Sequence, residues 1–386
     1  MQFANRLKRL GTESAFEVLA RAKQLEAQGK SVIHLEIGEP DFDTPTNICE
    51  AGIKAIRDGK THYCPSAGIP TARQTIADYV SKTRGINVAP ESTVVMPGAK
   101  PLLFNAIFAL VNEGDEVIVP NPGYPIYESV VDYVGATPVP MKLSEETGFR
   151  FSADYLRSLI TDKTSMIIVN SPQNPTGGIL TMAELEAIYE MAEEHNLWIL
   201  TDEIYSRIVY DVPFQSILPV PGALKRTIMV DGMSKTYSMT GWRLGYGVMP
   251  KEVADVLTKL AINNFSCTAT FAQDALVEAL TGPQDDVVKM VTEFQKRRDV
   301  FVDGLNKIKN VSCTKPLGAF YVFPNITKTG IESRTLAKRL LEDAGVACLS
   351  GTAFGKFGEG YLRFSYANSV ENIKEALVRI DKLLNG

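Results

Sequence analysis

The run Asp231-Gly-Met-Ser234-Lys235-Thr-Tyr-Ser-Met-Thr-Gly241-Trp242-Arg243 sets a lysine in a turn after an apolar stretch, with an arginine eight residues later. A lysine so placed loses water on folding, which lowers its pKa from about 10.4 and makes the amine nucleophilic. A Schiff base to an aldehyde is the chemistry open to it. Ser234 and Arg243 add a hydroxyl and a planar guanidinium, the donors that a phosphate monoester requires. Taken alone, a lysine in a turn is more often a solvated surface residue. Asp202 changes that balance, because it follows Leu197-Trp198-Ile199-Leu200 and so ends an inner strand, where open α/β sheets bind ligands. A carboxylate buried there needs a cation or several donors. A protonated pyridine nitrogen is one such partner, and a ring kept cationic accepts the electrons left by a broken Cα–H bond. A salt bridge to an arginine or a helix cap is the plainer alternative. Tyr205, three residues on, is placed to hydrogen-bond a phenolic oxygen of such a ring.

Three further segments carry weaker signals. Ser165 to Val169 runs into Asn170-Ser-Pro-Gln-Asn174-Pro175-Thr-Gly177-Gly178, whose two prolines and two glycines make a fixed turn that presents the Asn174 amide with defined geometry. A simple strand-to-helix turn is the alternative. Gly98-Ala99-Lys100 stands before a helical pattern and offers backbone N–H groups and the positive helix end to a phosphate, although many helices begin this way. Tyr124, in Asn121-Pro-Gly-Tyr-Pro-Ile-Tyr127, suits stacking on an aromatic ring or ordinary core packing.

Elements must hold these residues together. Between about residues 90 and 250 short β-branched runs alternate with longer helical patterns, the signature of a parallel sheet covered on both faces. Strands are predicted at 94–96, 116–120, 165–170, 198–201, 227–230 and 244–248, and helices at 101–111, 124–134, 182–195 and 251–261. In the first helix Leu102, Leu103, Ala106, Ile107, Leu110 and Val111 recur at helical spacing, with Pro101 in the first turn and Gly114 beyond the end. From Pro283 the pattern changes to a long charged helix at 287–305, short strands near 319–323 and 361–365, and an amphipathic helix at 371–384. The opening segment adds a helix at 13–28 and a strand at 32–37, expected to pack on that second unit. The fold class is α/β: a large domain with a mostly parallel sheet flanked by helices over 43–283, and a smaller α+β domain over 284–386. Residues 1–42 form an N-terminal arm and part of the small domain.

Bulk properties agree with an enzyme of about two or three domains. The 386 residues are 45% apolar and 22% charged, ordinary globular usage that predicts a packed core. Net charge is −5, and the densest basic run is Lys296-Arg297-Arg298 on a predicted helix, so nucleic acid is not expected as a partner. Arg6, Lys8 and Arg9 near the start are not followed by the apolar run of a signal peptide, and no stretch approaches the roughly 20 apolar residues of a membrane span. The chain therefore reads as cytoplasmic. Five cysteines (Cys49, Cys64, Cys267, Cys313, Cys348) form no C-x-x-C pair, and His34, His62 and His195 lie far from them, so neither a disulfide framework nor a metal site is expected.

The agreement of these signals in order and type, from Glu36-Ile-Gly38-Glu-Pro-Asp41 to Tyr361-Leu-Arg363-Phe-Ser, resembles the fold-type-I aminotransferases of class I, within them the bacterial and archaeal aspartate-aminotransferase branch. The Lys235 segment and Asn174-Pro-Thr-Gly are the most specific matches. The resemblance implies a pyridoxal-phosphate transferase fold of type I with pyridoxal 5′-phosphate as coenzyme. It implies that Lys235 carries the Schiff base and moves the proton between Cα and the coenzyme. By the same resemblance Asp202 pairs with the ring nitrogen, and Asn174 and Tyr205 bond the ring oxygen. The phosphate then falls to Gly98, Ala99, Lys100, Ser234 and Arg243, with Tyr63 lent by a neighbouring subunit, and Tyr124 stacks on the ring. Arg363 grips the substrate α-carboxylate in a bidentate fork, helped by Gly38 and Asn174. Cleft closure on binding and a homodimer are implied as well.

The implied reaction moves the amino group of an L-amino acid to a 2-oxo acid such as 2-oxoglutarate. In the branch that the chain resembles, a lysine in the place of Lys100 meets the substrate's distal carboxylate, which implies aspartate or another acidic or broad donor, an ammonium in a closing cleft rewarding a second carboxylate; Ile37 adds an apolar wall. A lyase, synthase or oxidase of the same fold shares the electron sink, and an aromatic- or alanine-type aminotransferase is a nearer variant. An idle binding protein leaves the reactive groups without purpose, and a nicotinamide dehydrogenase lacks a strand leading into G-x-G-x-x-G.

Overall fold

The computed structural model describes residues 3–386. Seven strands form its main sheet: β1 (Thr93–Met96), β2 (Glu116–Asn121), β3 (Thr137–Lys142), β4 (Thr164–Asn170), β5 (Trp198–Asp202), β6 (Thr227–Gly232) and β7 (Gly245–Val248). They lie in the order β1-β7-β6-β5-β4-β2-β3, parallel throughout except for the two pairs made by β7. Successive side chains of a strand face opposite ways, so a sheet covered on both sides needs apolar residues at every position. Val94, Met96, Val117, Val119, Met166, Ile168 and Leu200 face one way, under the helices Ala99–Leu110, Ile126–Val134 and Lys251–Asn264. Val95, Ile118, Ile167, Val169, Ile199 and Met229 face the other, under Pro70–Arg84, Met182–Glu194 and Thr270–Thr281.

Within the main sheet, β3 is the strand that sequence patterning missed. Pro138 and Pro140 argue against a strand, and the structure reconciles them by putting β3 at the sheet edge, paired with β2 alone. A missing N–H is tolerated where it faces outward.

The remaining chain builds a second core from the helices Asp285–Leu305, Ser333–Ala344 and Val370–Asn385, and from a three-stranded antiparallel sheet with Leu362–Ser365 between Leu349–Ser350 and Tyr321–Val322. Tyr205, Ile208 and Tyr210, from the connection after β5, pack into this same core. The opening segment docks there too: Ile33–His34 pairs in parallel with Val346–Ala347, and Ala22 and Leu25 pack on Leu341. Its ladder is shorter than the strand read at 32–37, because the His34 carbonyl accepts from the Asn368 side chain (2.9 Å) and the Leu35 carbonyl from the Ser365 N–H (2.7 Å). Glu36 O accepts from Arg363, and Gly38 O accepts from Lys235.

The Lys296-Arg297-Arg298 run presents little free charge. Arg297 is buried against Asp41 (2.6 Å) and Glu293 (3.1 Å), and Arg298 against Asp211 and Asp299, both at 2.8 Å. Among the described residues no helix is long and apolar enough to cross a membrane.

Candidate active site

The parallel strands deliver their C-terminal ends to one side of the sheet, and a cavity of about 510 Å3 opens above them. β2 ends at Asn121, β4 at Asn170, β5 at Asp202 and β6 at Gly232, and the turns that follow carry Tyr124, Asn174, Tyr205 and Lys235. Lys235 stands in the single helical turn Met233–Thr236 directly after β6. Arg363 comes from the centre of the small antiparallel sheet, paired with Leu349, and closes the cavity from the other core.

Burial dominates the charges of this cavity. It pulls the Lys235 amine down to about 8, helped by the cations of Arg363 and Arg243 and opposed by Glu39 and Glu13. Burial also pushes the Asp202 carboxyl up to about 6, against the Tyr127 hydroxyl and the Ile204 N–H that hold it down. Those two donors lie 2.7 and 3.2 Å from the carboxylate. Neither of the plainer uses of Asp202, an arginine partner or a helix cap, is what the structure shows. The Asp202 main chain is fixed by Asn170, whose side chain donates to its carbonyl at 2.9 Å and accepts from the Asn174 N–H at 2.9 Å.

The arginine on the far wall of the cavity, Arg363, is buried and incompletely partnered. Arg363 donates to Asn174 Oδ1 at 3.4 Å and to the Glu36 carbonyl, while its Nε has no partner. Its guanidinium lies 4.5 Å from the centre of the Tyr321 ring and 5.1 Å from that of Phe354. A bidentate anion satisfies such a group better than the carbonyl does. The Tyr321 hydroxyl meets that of Tyr205 at 2.8 Å, and a Cβ added at Gly38 would stand 2.1 Å from it. Gly38 is thus needed for close approach.

At the opposite end the backbone forms a cradle. Gly98, at φ +104°, caps the helix that starts at Ala99; a Cβ there would stand 2.3 Å from Arg243 Nη2. A Cβ at Gly245 would stand 2.4 Å from the Ala99 nitrogen. Arg243, itself at φ +55°, is held by the carbonyls of Thr240 (2.8 Å) and Pro97 (3.3 Å). A helix N-terminus, Ser234 and a guanidinium converge there, a donor set for a phosphate monoester.

Most of the residues singled out from sequence line this one cavity: Gly38, Ala99, Lys100, Tyr124, Asn174, Asp202, Tyr205, Ser234, Lys235, Arg243 and Arg363. Gly98 stands behind it against Arg243. Tyr63 does not reach it and is 90% exposed. Sequence reading missed Tyr127, the donor to Asp202, and Glu13, whose carboxylate accepts from the Tyr124 hydroxyl at 3.1 Å and pairs with Lys100. The spacing of Tyr127 from Tyr124 was a usable signal, one helical turn. Glu13 had none, because it arrives from a remote segment. A buried network under the site was missed as well: Arg84 meets Glu203 at 3.0 Å and Asp231 at 3.8 Å, tying the ends of β5 and β6 together.

Comparison with known proteins matches this arrangement. The family described as aminotransferase class I and II covers residues 30–380. The chain is 41% identical to a probable aspartate/prephenate aminotransferase of Aquifex aeolicus, over 99% of this chain and 98% of that one. It is 39% identical to aromatic-amino-acid aminotransferase 2 of Thermococcus litoralis, over 93% of each. Among solved structures, an aspartate aminotransferase from Thermus thermophilus with maleate superimposes with a TM-score of 0.96, at 36% identity and with 100% of both chains covered. The chemistry that the cavity supports and this likeness along the whole chain lead to one conclusion: the chain belongs to the class I and II aminotransferases, enzymes that use pyridoxal 5′-phosphate to move amino groups.

Proposed function

We propose that the enzyme transfers the amino group of an L-amino acid with an acidic side chain, within a broad donor range, to a 2-oxo acid such as 2-oxoglutarate. The observation that carries this reading is the cavity with Lys235 and Asp202 at its floor, Arg363 on its wall and Lys100 at its edge. In that reading Asp202 holds the coenzyme's ring nitrogen, Asn174 and Tyr205 its ring oxygen, and Tyr124 its ring face. Gly98, Ala99, Lys100, Ser234 and Arg243 hold its phosphate, and Tyr63 comes from a partner subunit in a homodimer. The cradle at Gly98 and Gly245 and the cation-free carboxylate of Asp202 fit the group. When bound, pyridoxal phosphate supplies an electron-accepting ring beside the substrate Cα.

The chain's own residues do the rest. Arg363 binds and orients the α-carboxylate, exchanging the Glu36 carbonyl for a charged acceptor. Lys235, held near pKa 8 by burial, moves the proton between the substrate Cα and the coenzyme carbon bonded to the same nitrogen, since its amine is a competent base around neutral pH. The Gly38 carbonyl orients that amine. Division into an arm (1–42), a large domain (43–283) and a small domain (284–386) puts Lys235 and Arg363 on different bodies, so substrate binding draws them together and sheds water. A cytoplasmic location suits the five cysteines, all free.

Ile37, Leu103 and Phe354 also line the cavity and give it an apolar wall, which supports aromatic or aliphatic donors as a second range. A panel of aspartate, phenylalanine and alanine with 2-oxoglutarate, read as glutamate formed, tests the reading. Aspartate should give the highest kcat/KM, and Lys100→Ala should remove that advantage. Borohydride reduction followed by peptide mass mapping should place the coenzyme's mass on Lys235. A preference for aspartate that survives Lys100→Ala, or a label on another lysine, overturns it.

A further inference from the structure

Lys100 is not a bare ammonium awaiting a carboxylate. Glu13, the residue that precedes the helix Ser14–Ala27, pairs with it and accepts the Tyr124 hydroxyl on the same oxygen, Oε1. Glu13 caps no helix end with its side chain, so its carboxylate is committed to the cavity. It sits on a segment that crosses the helix Ile126–Val134. That segment is fastened by the Gly11 N–H to Ser129 Oγ (2.9 Å) and by Arg9 to the Tyr133 carbonyl (3.2 Å). The pair is graded in exposure: the Glu13 side chain is 18% exposed and that of Lys100 is 46%. Both partners line the cavity, and Lys100 keeps the larger solvent-exposed surface.

An aminotransferase must admit two different side chains to one pocket in alternate half-reactions. A fixed unpaired lysine rewards a dicarboxylate but leaves a desolvated charge over a neutral side chain. A fixed lysine–glutamate pair does the reverse. We propose that Glu13 is the displaceable internal counter-ion of Lys100. With a neutral or aromatic side chain bound, the pair stays closed and the pocket is uncharged. With a dicarboxylate bound, the distal carboxylate takes Lys100, and the Glu13 side chain turns toward water while its segment stays fastened at Gly11 and Arg9. The inference deepens the substrate reading given above and rests on it: Glu13 sets the ratio between the two substrate classes, at a cost to the dicarboxylate.

The test uses the coenzyme-loaded enzyme and two unreactive probes, succinate and 3-phenylpropionate, whose dissociation constants are measured by calorimetry for the wild-type chain, Glu13→Gln and Glu13→Ala. Removing the counter-ion should lower the succinate constant relative to that of 3-phenylpropionate by roughly fivefold, the scale of a half-exposed ion pair. Adding Lys100→Met to Glu13→Gln should abolish that gain. An unchanged or raised ratio in both Glu13 variants overturns the proposal, as does a gain that persists without Lys100. Binding needs no turnover, so failure of the acidic-donor reading appears separately, as absence of glutamate formation from aspartate in the same preparations.

Discussion

At the scale of single residues the site is built against the protein's own stability. Asp202 is 4% exposed and held at about 6, while the ordinary value is 3.8. Between those values the folded chain binds a proton that the unfolded chain has lost, so stability falls as pH rises through the window, and above it the carboxylate costs about 3 kcal/mol. Lys235 is strained in the opposite sense. Its pKa is depressed to about 8, so it disfavours the fold below that pH and the penalty fades as pH rises toward the unfolded value. A coenzyme that brings a cation to Asp202 and consumes the amine of Lys235 removes both strains. Asp202→Asn should therefore raise the melting temperature of the coenzyme-free protein by several degrees at pH 8 and barely at pH 4, while glutamate formation by the loaded enzyme falls by orders of magnitude. Equal thermal shifts at the two pH values defeat this assignment. Calorimetric scans of the two apo-proteins are sufficient.

Between residue and fold, the elements separate stability from function at their ends. The helix Met182–Glu194 begins with a capping box, Thr181 and Glu184 each bonding the other's backbone, away from the cavity. Thr181→Ala should cost about 1 kcal/mol in urea unfolding and leave kcat/KM unaltered. The helix Ala99–Leu110 begins instead with Gly98, whose φ of +104° and missing Cβ make room for Arg243. Gly98→Ala should weaken coenzyme retention by about tenfold or more, read by equilibrium dialysis, because the arginine must leave the cradle. Matching effects of the two substitutions on coenzyme retention would falsify the division. This contrast also explains what was legible in the chain. Strands β1, β2, β4, β5, β6 and β7 were readable because a sheet buried on both faces demands unbroken apolar runs, and the ends of those strands marked Asp202 and Lys235. Other features were invisible for stated reasons. Pro138 and Pro140 masked an edge strand, and the strand begun at Ile33 ends early because the His34 and Leu35 carbonyls accept from Asn368 and Ser365. Glu13 and the Arg84–Glu203–Asp231 network depend on contacts across more than 80 residues of sequence, which no local period encodes.

For the molecule as a whole, the role proposed for Tyr63 bears on how many chains make one working site. Its segment is not loose: His62 O accepts from Thr270 Oγ1 at 2.7 Å, and Cys64 and Gln273 meet beside it. Yet the phenol is 90% exposed and outside its own chain's cavity. An exposed tyrosine on a fastened segment is a contact that a second copy can use. In the proposed homodimer each Tyr63 completes the phosphate site of its partner, so coenzyme binding and association stabilise one another by mass action. Two results follow. On dilution, sedimentation equilibrium should show dimer dissociation at the same protein concentrations at which the coenzyme's absorbance is lost to the dialysate, and added pyridoxal phosphate should shift both to lower concentrations. Tyr63→Phe should keep the dimer while loosening the coenzyme by several-fold, since only the hydroxyl that meets the phosphate is removed. A monomer that retains its coenzyme and its full transaminase activity rules out the shared site and leaves Arg243, Ser234 and the helix at Ala99 as the whole phosphate cradle.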